Sequence, residues 1–228
     1  MNIGNTLLAQ LPQHELETIA PLLTREWLSA DMRLLNVEER LQHAYFPESA
    51  ITSVVTCGEN ERASYVGLYG FEGFGSIGTL LGASVSGHRE IVQSAGYAFR
   101  LRVSDLNDMM AVLPEFRRRL HCFAHVFLMQ VGYTAFANGC TRIDQRLARW
   151  LLMYQDRMRA SSLAITHQRL SEILGVRRSG VTEALHILEG VGLIRAHRGL
   201  IDILDRRRLA EMTAGSYGRP EEEYRRLL

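Results

Sequence analysis

The sequence predicts an α+β chain: an N-terminal antiparallel β-roll, a long dimerisation helix, and a C-terminal winged helix-turn-helix. Three observations carry this reading. Between Met32 and about Val103, short runs rich in β-branched and aromatic residues alternate with turns, as an antiparallel sandwich or barrel requires. From about Asp105 to Asn138 the apolar positions recur in steps of four and three, the signature of a helix with a heptad-type seam. Finally, two short helical patterns meet at Gly175 and are followed by two strand-like runs around "HRG", which is the grammar of a winged helix.

Taken in order, the first segment "NTLLAQLPQHELETIAPLL" is helical in pattern and interrupted near Pro12, because proline has no N–H for the helical ladder. The strands of the roll are read at "RLLNV", "HAYF", "AITSVVTC", "RASYVGLYG", "REIVQS" and "YAFRLRV", with a turn at "GENE". On the long helix, Phe116, Leu120, Phe123, Phe127, Gln130 and Thr134 form the seam, and a helix of this length favours pairing with a second copy. His121 and His125 stand four apart beside Cys122, a spacing that can hold a metal. No third ligand is evident, so they are read as solvated side chains, with no metal and no cofactor expected. An amphipathic helix follows, striped by Ile143, Leu147, Trp150, Leu151 and Tyr154. The domains expected are 1–108 for the roll, 109–140 for the dimerisation helix and 141–228 for the winged helix-turn-helix.

"GFGSIG" at residues 73–78 satisfies G-x-G-x-x-G, a pattern that cradles a pyrophosphate only where a strand feeds a helix N-terminus. Here Gly82, Gly87 and two serines follow within a few residues, so no helix of three turns can form and the glycines are read as tight bends and close backbone approaches. With 46% hydrophobic and 22% charged residues in 228, the chain has the composition of a folded globular protein. The N-terminus has neither a basic region nor a long apolar stretch, and no uncharged apolar run of membrane-span length is read, so a cytoplasmic protein without membrane contact is expected. Cys57, Cys122 and Cys140 are scattered, which excludes a disulfide framework or a four-cysteine metal site.

The formal charge of +1 conceals an asymmetry. Residues 1–140 hold 10 Arg against 14 Asp and Glu, whereas residues 141–228 hold 16 Arg against 11. A basic C-terminal part is the footprint of a polyanion partner. There Thr166 can cap a helix that buries Leu170, Ile173 and Leu174, and Gly175 supplies the left-handed turn. Val181, Ala184, Leu185 and Leu188 then form the buried stripe of a second helix, which leaves Ser179, Thr182, Glu183 and His186 outside it, with Arg177 and Arg178 at the leading end. Arginine can take guanine O6 and N7 together, and a glutamate can accept from cytosine N4. Thr166 and Gln168 at the start of the first helix, and His197 and Arg198 in the wing, complete the candidate DNA-contacting set.

In its order of parts the chain resembles the Crp/Fnr family of bacterial transcription regulators over nearly its whole length. "AYFPESAITSVVT" and "VGLYGFEGFGSIGTLLG" look like the cyclic-nucleotide-binding-like roll of one branch, and "LSEILGVRRSGVTEALHILEGVGLI" is similar to the family's DNA-binding motif. The resemblance implies a homodimer joined along the long helix, double-stranded DNA with a near-palindromic operator as partner, and contact with RNA polymerase. It also implies departures. Cyclic-nucleotide-binding members carry a "G-E-L" turn and an "R-S/T-A" phosphate site; here the first is Ser76-Ile77-Gly78 and the second His88-Arg89-Glu90. The arginine stands one place late, on the opposite face of a strand, so no response to cyclic AMP is expected and the effector is unknown. A ligand sensor whose winged helix recruits a protein instead of DNA is the alternative. An enzyme ranks third, because no catalytic constellation can be assembled.

Overall fold

A computed structural model describes residues 3–59, 63–158 and 162–228. Two short helices, α1 (Thr6–Ala9) and α2 (Gln13–Ile19), flank Pro12 and lead through a 3₁₀ turn at Ala20–Leu22 into the roll. The roll contains β1 (Thr24–Leu28), β2 (Arg33–Leu35), β3 (His43–Pro47), β4 (Ile51–Cys57), β5 (Ala63–Tyr69), β6 (Arg89–Ser94) and β7 (Gly96–Arg102). They form two antiparallel sheets, ordered β1-β7-β3 and β2-β6-β4-β5. The turn read at "GENE" falls in part on residues 60–62, outside the described residues. Strand β1, "TREWL", was not among the expected strands: it has a single buried residue, Leu28, and so lacks the apolar alternation that marks the others.

The expected single helix is two, α3 (Val103–Val112) and α4 (Pro114–Cys140). Leu113, held at φ −109° and ψ 96°, is extended because the ring of Pro114 clashes with an α-helical residue before it. Pro114 then starts α4, where its missing N–H costs nothing. Leu113 has no side chain to cap the helix, and the orphan amides of Glu115 and Phe116 donate instead to Glu15 Oε1 and Oε2, at 3.0 and 2.8 Å. That carboxylate, 2% exposed, comes from α2, a hundred residues earlier, and its charge complements the positive end of the α4 dipole.

The seam assigned to a dimer contact lies elsewhere. Phe116, Leu120, Phe123, Phe127, Gln130 and Thr134 are all buried inside their own chain, where the four apolar ones pack with Phe46, Phe74 and Phe99 of the roll. Helix α4 crosses β5 at Gly67, where a Cβ would stand 2.8 Å from the Phe127 ring. Gln130 reads β5 as another strand would: its Oε1 accepts from Leu68 N–H at 2.7 Å and its Nε2 donates to Leu68 O at 3.1 Å. The alternation of four and three was read correctly as one face of a helix, and that face is satisfied within the chain.

Residues 120–141 contain no Asp, Glu or Arg, and Pro114–Cys140 is long and apolar enough, by length and composition, to cross a membrane; this corrects the expectation that no such run exists. Nine of its side chains form core in this chain. A second heptad-spaced row, His121, Ala124, Leu128, Val131 and Ala135, lies beside the buried seam; Leu128 is 69% exposed, while Ala124 and Val131 are half-buried and Val131 packs in part on the core.

After α4 come α5 (Ile143–Arg157), β8 (Ser162–Ala164), α6 (His167–Leu174), α7 (Arg178–Gly190), β9 (Ile194–His197), β10 (Leu200–Ile203), α8 (Arg206–Glu211) and α9 (Arg219–Leu227). Helix α9 returns to pack on α4, with Arg118 Nη1 donating to Leu227 O at 3.1 Å and His125 Nε2 3.3 Å from Glu223 Oε1. The buried Arg149 donates to Gln130 O at 3.1 Å and to Ser216 O at 2.9 Å; burial pulls its pKa down to about 10, which leaves it charged at neutral pH. One guanidinium thus ties α4, α5 and the C-terminal segment together.

Candidate nucleic-acid interface

Helices α6 and α7 are held by a core that the sequence stripe foretells. Leu170, Ile173 and Leu174 of α6, and Val181, Ala184, Leu185 and Leu188 of α7, join Leu147, Trp150 and Leu151 of α5 in one cluster. Thr166 caps α6, its Oγ1 accepting from Arg169 N–H at 3.2 Å. Gly175 follows α6 in the left-handed region, φ 63°, which a side chain bearing Cβ adopts only at a cost. The turn therefore bends at the one residue suited to it. Arg146 donates to the free carbonyl of Leu174 at the end of α6.

With that stripe buried, the opposite side of α7 is open. Arg178, Ser179, Glu183 and His186 are exposed there, Arg177 is exposed at the N-cap, and Thr182 is half-buried. The Thr182 hydroxyl donates to Arg178 O at 3.2 Å and lies 3.3 Å from His167 Nδ1, so it is oriented before any partner arrives. Gln168 is exposed on α6 but its Nε2 donates to Glu172 Oε1 at 3.0 Å. The leading turn of α7 carries two arginines and no carboxylate. The positive end of the α7 dipole and two arginines thus share one end of the helix, an arrangement that suits phosphate.

The wing is a β9–β10 hairpin closed by Arg198 and Gly199, the latter at φ 76°. Strand β8 adds a third member, giving the order β8-β10-β9. It was not read from sequence, because three residues are too few to show a period. Arg198 is exposed at the tip, while His197 leans on Asp202, with Nε2 3.4 Å from Oδ2, across the hairpin. Asp202 is itself fixed by Ser162 Oγ at 2.5 Å. Glu189 Oε1 accepts from Ala196 N–H at 2.7 Å and so pins the wing to the end of α7. The structure therefore brings the candidates onto three adjoining pieces: the start of α6, the outer face of α7, and the wing. It also adds one. Arg195 is exposed two residues before His197 on β9, hence on the same face of the strand; the alternation in "IRAHRG" was the signal for it.

In the roll, "GFGSIG" forms bends. A Cβ on Gly73 would come within 2.2 Å of the Phe123 ring, and one on Gly75 within 2.3 Å of the Tyr69 hydroxyl. Ser76 is left-handed at φ 62°, and only a five-residue 3₁₀ turn, Ile77–Leu81, follows. Alternation on β6 sends Glu90 inward, 5% exposed, and Arg89 the other way. Glu90 then fills the bend: its Oε1 accepts from Ser76 N–H at 2.8 Å and its Oε2 from the Tyr69 hydroxyl at 2.7 Å. Burial raises the Glu90 pKa, and the two donors oppose that rise.

Residues 145–212 match the Crp-like helix-turn-helix domain. No curated protein sequence matches the chain. Among solved structures, FixK2 from Bradyrhizobium japonicum superposes with a TM-score of 0.71 at 15% identity, covering 83% of this chain and 96% of that one. The c-di-GMP responsive global regulator CLP of Xanthomonas campestris gives 0.70 at 14% identity, covering 84% and 99%. A Crp/Fnr-family transcriptional regulator from Thermus thermophilus, TTHA1359, gives 0.66 at 19% identity, covering 85% and 100%. The chain carries a Crp-like helix-turn-helix domain within the fold of the Crp/Fnr transcription regulators.

Proposed function

We propose that this chain is a cytoplasmic, sequence-specific transcription regulator that binds a near-palindromic operator in double-stranded DNA as a homodimer and has no catalytic role. The observation that carries the reading is the open face of α7, where Arg178, Ser179, Thr182, Glu183 and His186 stand opposite a fully apolar, buried face. Arg178 is assigned to a base edge and Arg177 to a phosphate, with Thr166, Gln168, Arg195, His197 and Arg198 as flanking contacts. In this reading residues 1–108 form the effector-type part, 109–140 the dimerisation part and 141–228 the DNA-binding part, and RNA polymerase is the protein partner.

The dimer is assigned to the second heptad-spaced row of α4. A helix with 21 consecutive residues lacking Asp, Glu and Arg has no acidic or arginine-bearing face there for water, and Leu128 and Phe136 are exposed at 69% and 44%. A second copy covering Ala124, Leu128, Val131 and Ala135 removes that surface in the heptad manner. The roll is assigned no cyclic nucleotide, because the Glu90 carboxylate already takes the Ser76 amide that a cyclic phosphate needs. The test is fluorescence anisotropy with random duplex at two salt concentrations, comparing the natural chain with Arg177→Ala and Arg178→Ala. Steep salt dependence that is reduced in the variants supports the reading. Binding that is absent, or present and unchanged in both variants, contradicts it.

A further inference from the structure

A cavity of about 310 Å³ opens where α4, the end of α5, the start of α8 and α9 meet the loop after β5, and none of the candidate DNA-contacting residues lines it. Its size is at the small end of ligand pockets. Its walls are aromatic: Phe71, Phe123, Phe127, Tyr217 and Tyr224 line it, with Val126 between them.

The polar groups around it are nearly all committed. Arg157 donates to Met153 O at 2.7 Å and stands 2.7 Å from Glu72 Oε1. Arg206 donates to Asp156 Oδ1 at 2.5 Å, and Asp156 Oδ2 accepts from the Tyr217 hydroxyl at 2.7 Å. The Tyr224 hydroxyl donates to Glu72 O at 3.0 Å, and Glu221 accepts from Gly218 N–H at 2.9 Å. Both Gln130 amide atoms are held by Leu68. Burial raises the pKa of both tyrosines, so their hydroxyls stay neutral and spent as donors. Among the described residues lining the cavity, Arg225 on α9 is the one cation with no acceptor.

We propose that this cavity is a binding site for a small aromatic monocarboxylic acid, its ring between Phe123, Phe127, Tyr217 and Tyr224 and its carboxylate on Arg225. Ring contacts at the walls supply the affinity, and a guanidinium free to bind both carboxylate oxygens selects the acid over neutral analogues. The occupant touches the roll, the long helix, α5 and the C-terminal helix at once. Its binding therefore fixes the C-terminal segment, which follows the wing, against the roll. The site stands independently of the DNA reading, since occupancy is measured without DNA.

Calorimetric titration of the full-length chain with phenylacetate and with phenylacetamide tests it. The expected result is one saturable site per chain for phenylacetate, with the amide about 10-fold weaker or more. Arg225→Gln is expected to weaken phenylacetate by about 10-fold and leave the amide unchanged. Val126→Phe, with its fold checked by circular dichroism, is expected to abolish both by filling the space. Phenylacetate binding weaker than about 1 mM, equal affinity for acid and amide, or indifference to Arg225→Gln overturns the proposal. The comparison of acid with amide uses the natural chain, so it stands even if Val126→Phe does not fold.

Discussion

Removing the Glu90 carboxylate tests the account of the roll. In Glu90→Ala two buried donors, the Ser76 amide and the Tyr69 hydroxyl, lose their acceptor. An orphaned buried donor costs about 1–3 kcal/mol, so the pair costs about 2–6 kcal/mol, reduced by whatever the buried charge itself costs. For a chain of this size each kcal/mol moves the melting temperature by about 2–4 °C, and a fall of at least about 4 °C is expected in differential scanning calorimetry. Glu90→Gln separates charge from shape. Burial holds the Glu90 pKa above its ordinary value of 4.5, so the folded chain keeps this proton to higher pH than the unfolded chain. The group's contribution is then fully present below 4.5 and is lost as pH rises through the folded value. Stability of the natural chain minus that of Glu90→Gln must therefore fall as pH is raised from about 4 to 7. A difference that rises with pH would mean that the two donors outweigh burial, and a Glu90→Ala chain with unchanged melting would refute the assignment of the bend.

Five further variants test the dimer row, the core, the helix cap and the DNA-facing arginines. Leu128→Glu places an unpaired charge in the proposed dimer row, at a cost of roughly 3 kcal/mol or more, and is expected to give folded monomers in sedimentation. Phe123→Glu, whose ring is buried against the roll, is expected to unfold the chain instead; a folded monomer from that variant would restore the inner seam as the interface. Glu15→Ala strips two amides at the start of α4 of their acceptor and is expected to lower stability by about 1–3 kcal/mol in urea titration. Arg178→Ala is expected to lose about 1–3 kcal/mol per half-site and to relax preference at one base position, while Arg177→Ala weakens all sequences alike, as competition binding across operator variants would show.

Much of this architecture was legible because periodicity survives in single sequences. The stripe Val181, Ala184, Leu185, Leu188 and the turn residue Gly175 placed the two helices and their outer faces, and alternation on β6 placed Glu90 and Arg89 on opposite sides. What a period cannot say is which body covers the face it marks. Phe116, Leu120, Phe123 and Phe127 had the spacing of an intermolecular seam and are core within the chain, because the roll's own apolar face needs a cover. Leu128 and Ala135, which fall outside that spacing, are the exposed positions of the helix. Glu15 was unreadable as a helix cap, since its partners lie a hundred residues on. Residues 206–228 were assigned only to the C-terminal domain and to no element within it: α8 and α9 are short and rich in charge, and their place is set by contacts with α4, α5 and the roll.

If the outer face of α7 reads DNA within a two-fold dimer, the DNA it selects must carry the same symmetry. Selection of bound fragments from random-sequence duplex tests it most directly. The expected outcome is enrichment of a pseudo-palindrome with half-site centres about 10 to 10.5 base pairs apart, together with loss of preference at one symmetry-related pair of positions when selection is repeated with Arg178→Ala. Enrichment of no sequence, or of the same sequence at the same strength by the natural chain and by Arg178→Ala, would contradict it.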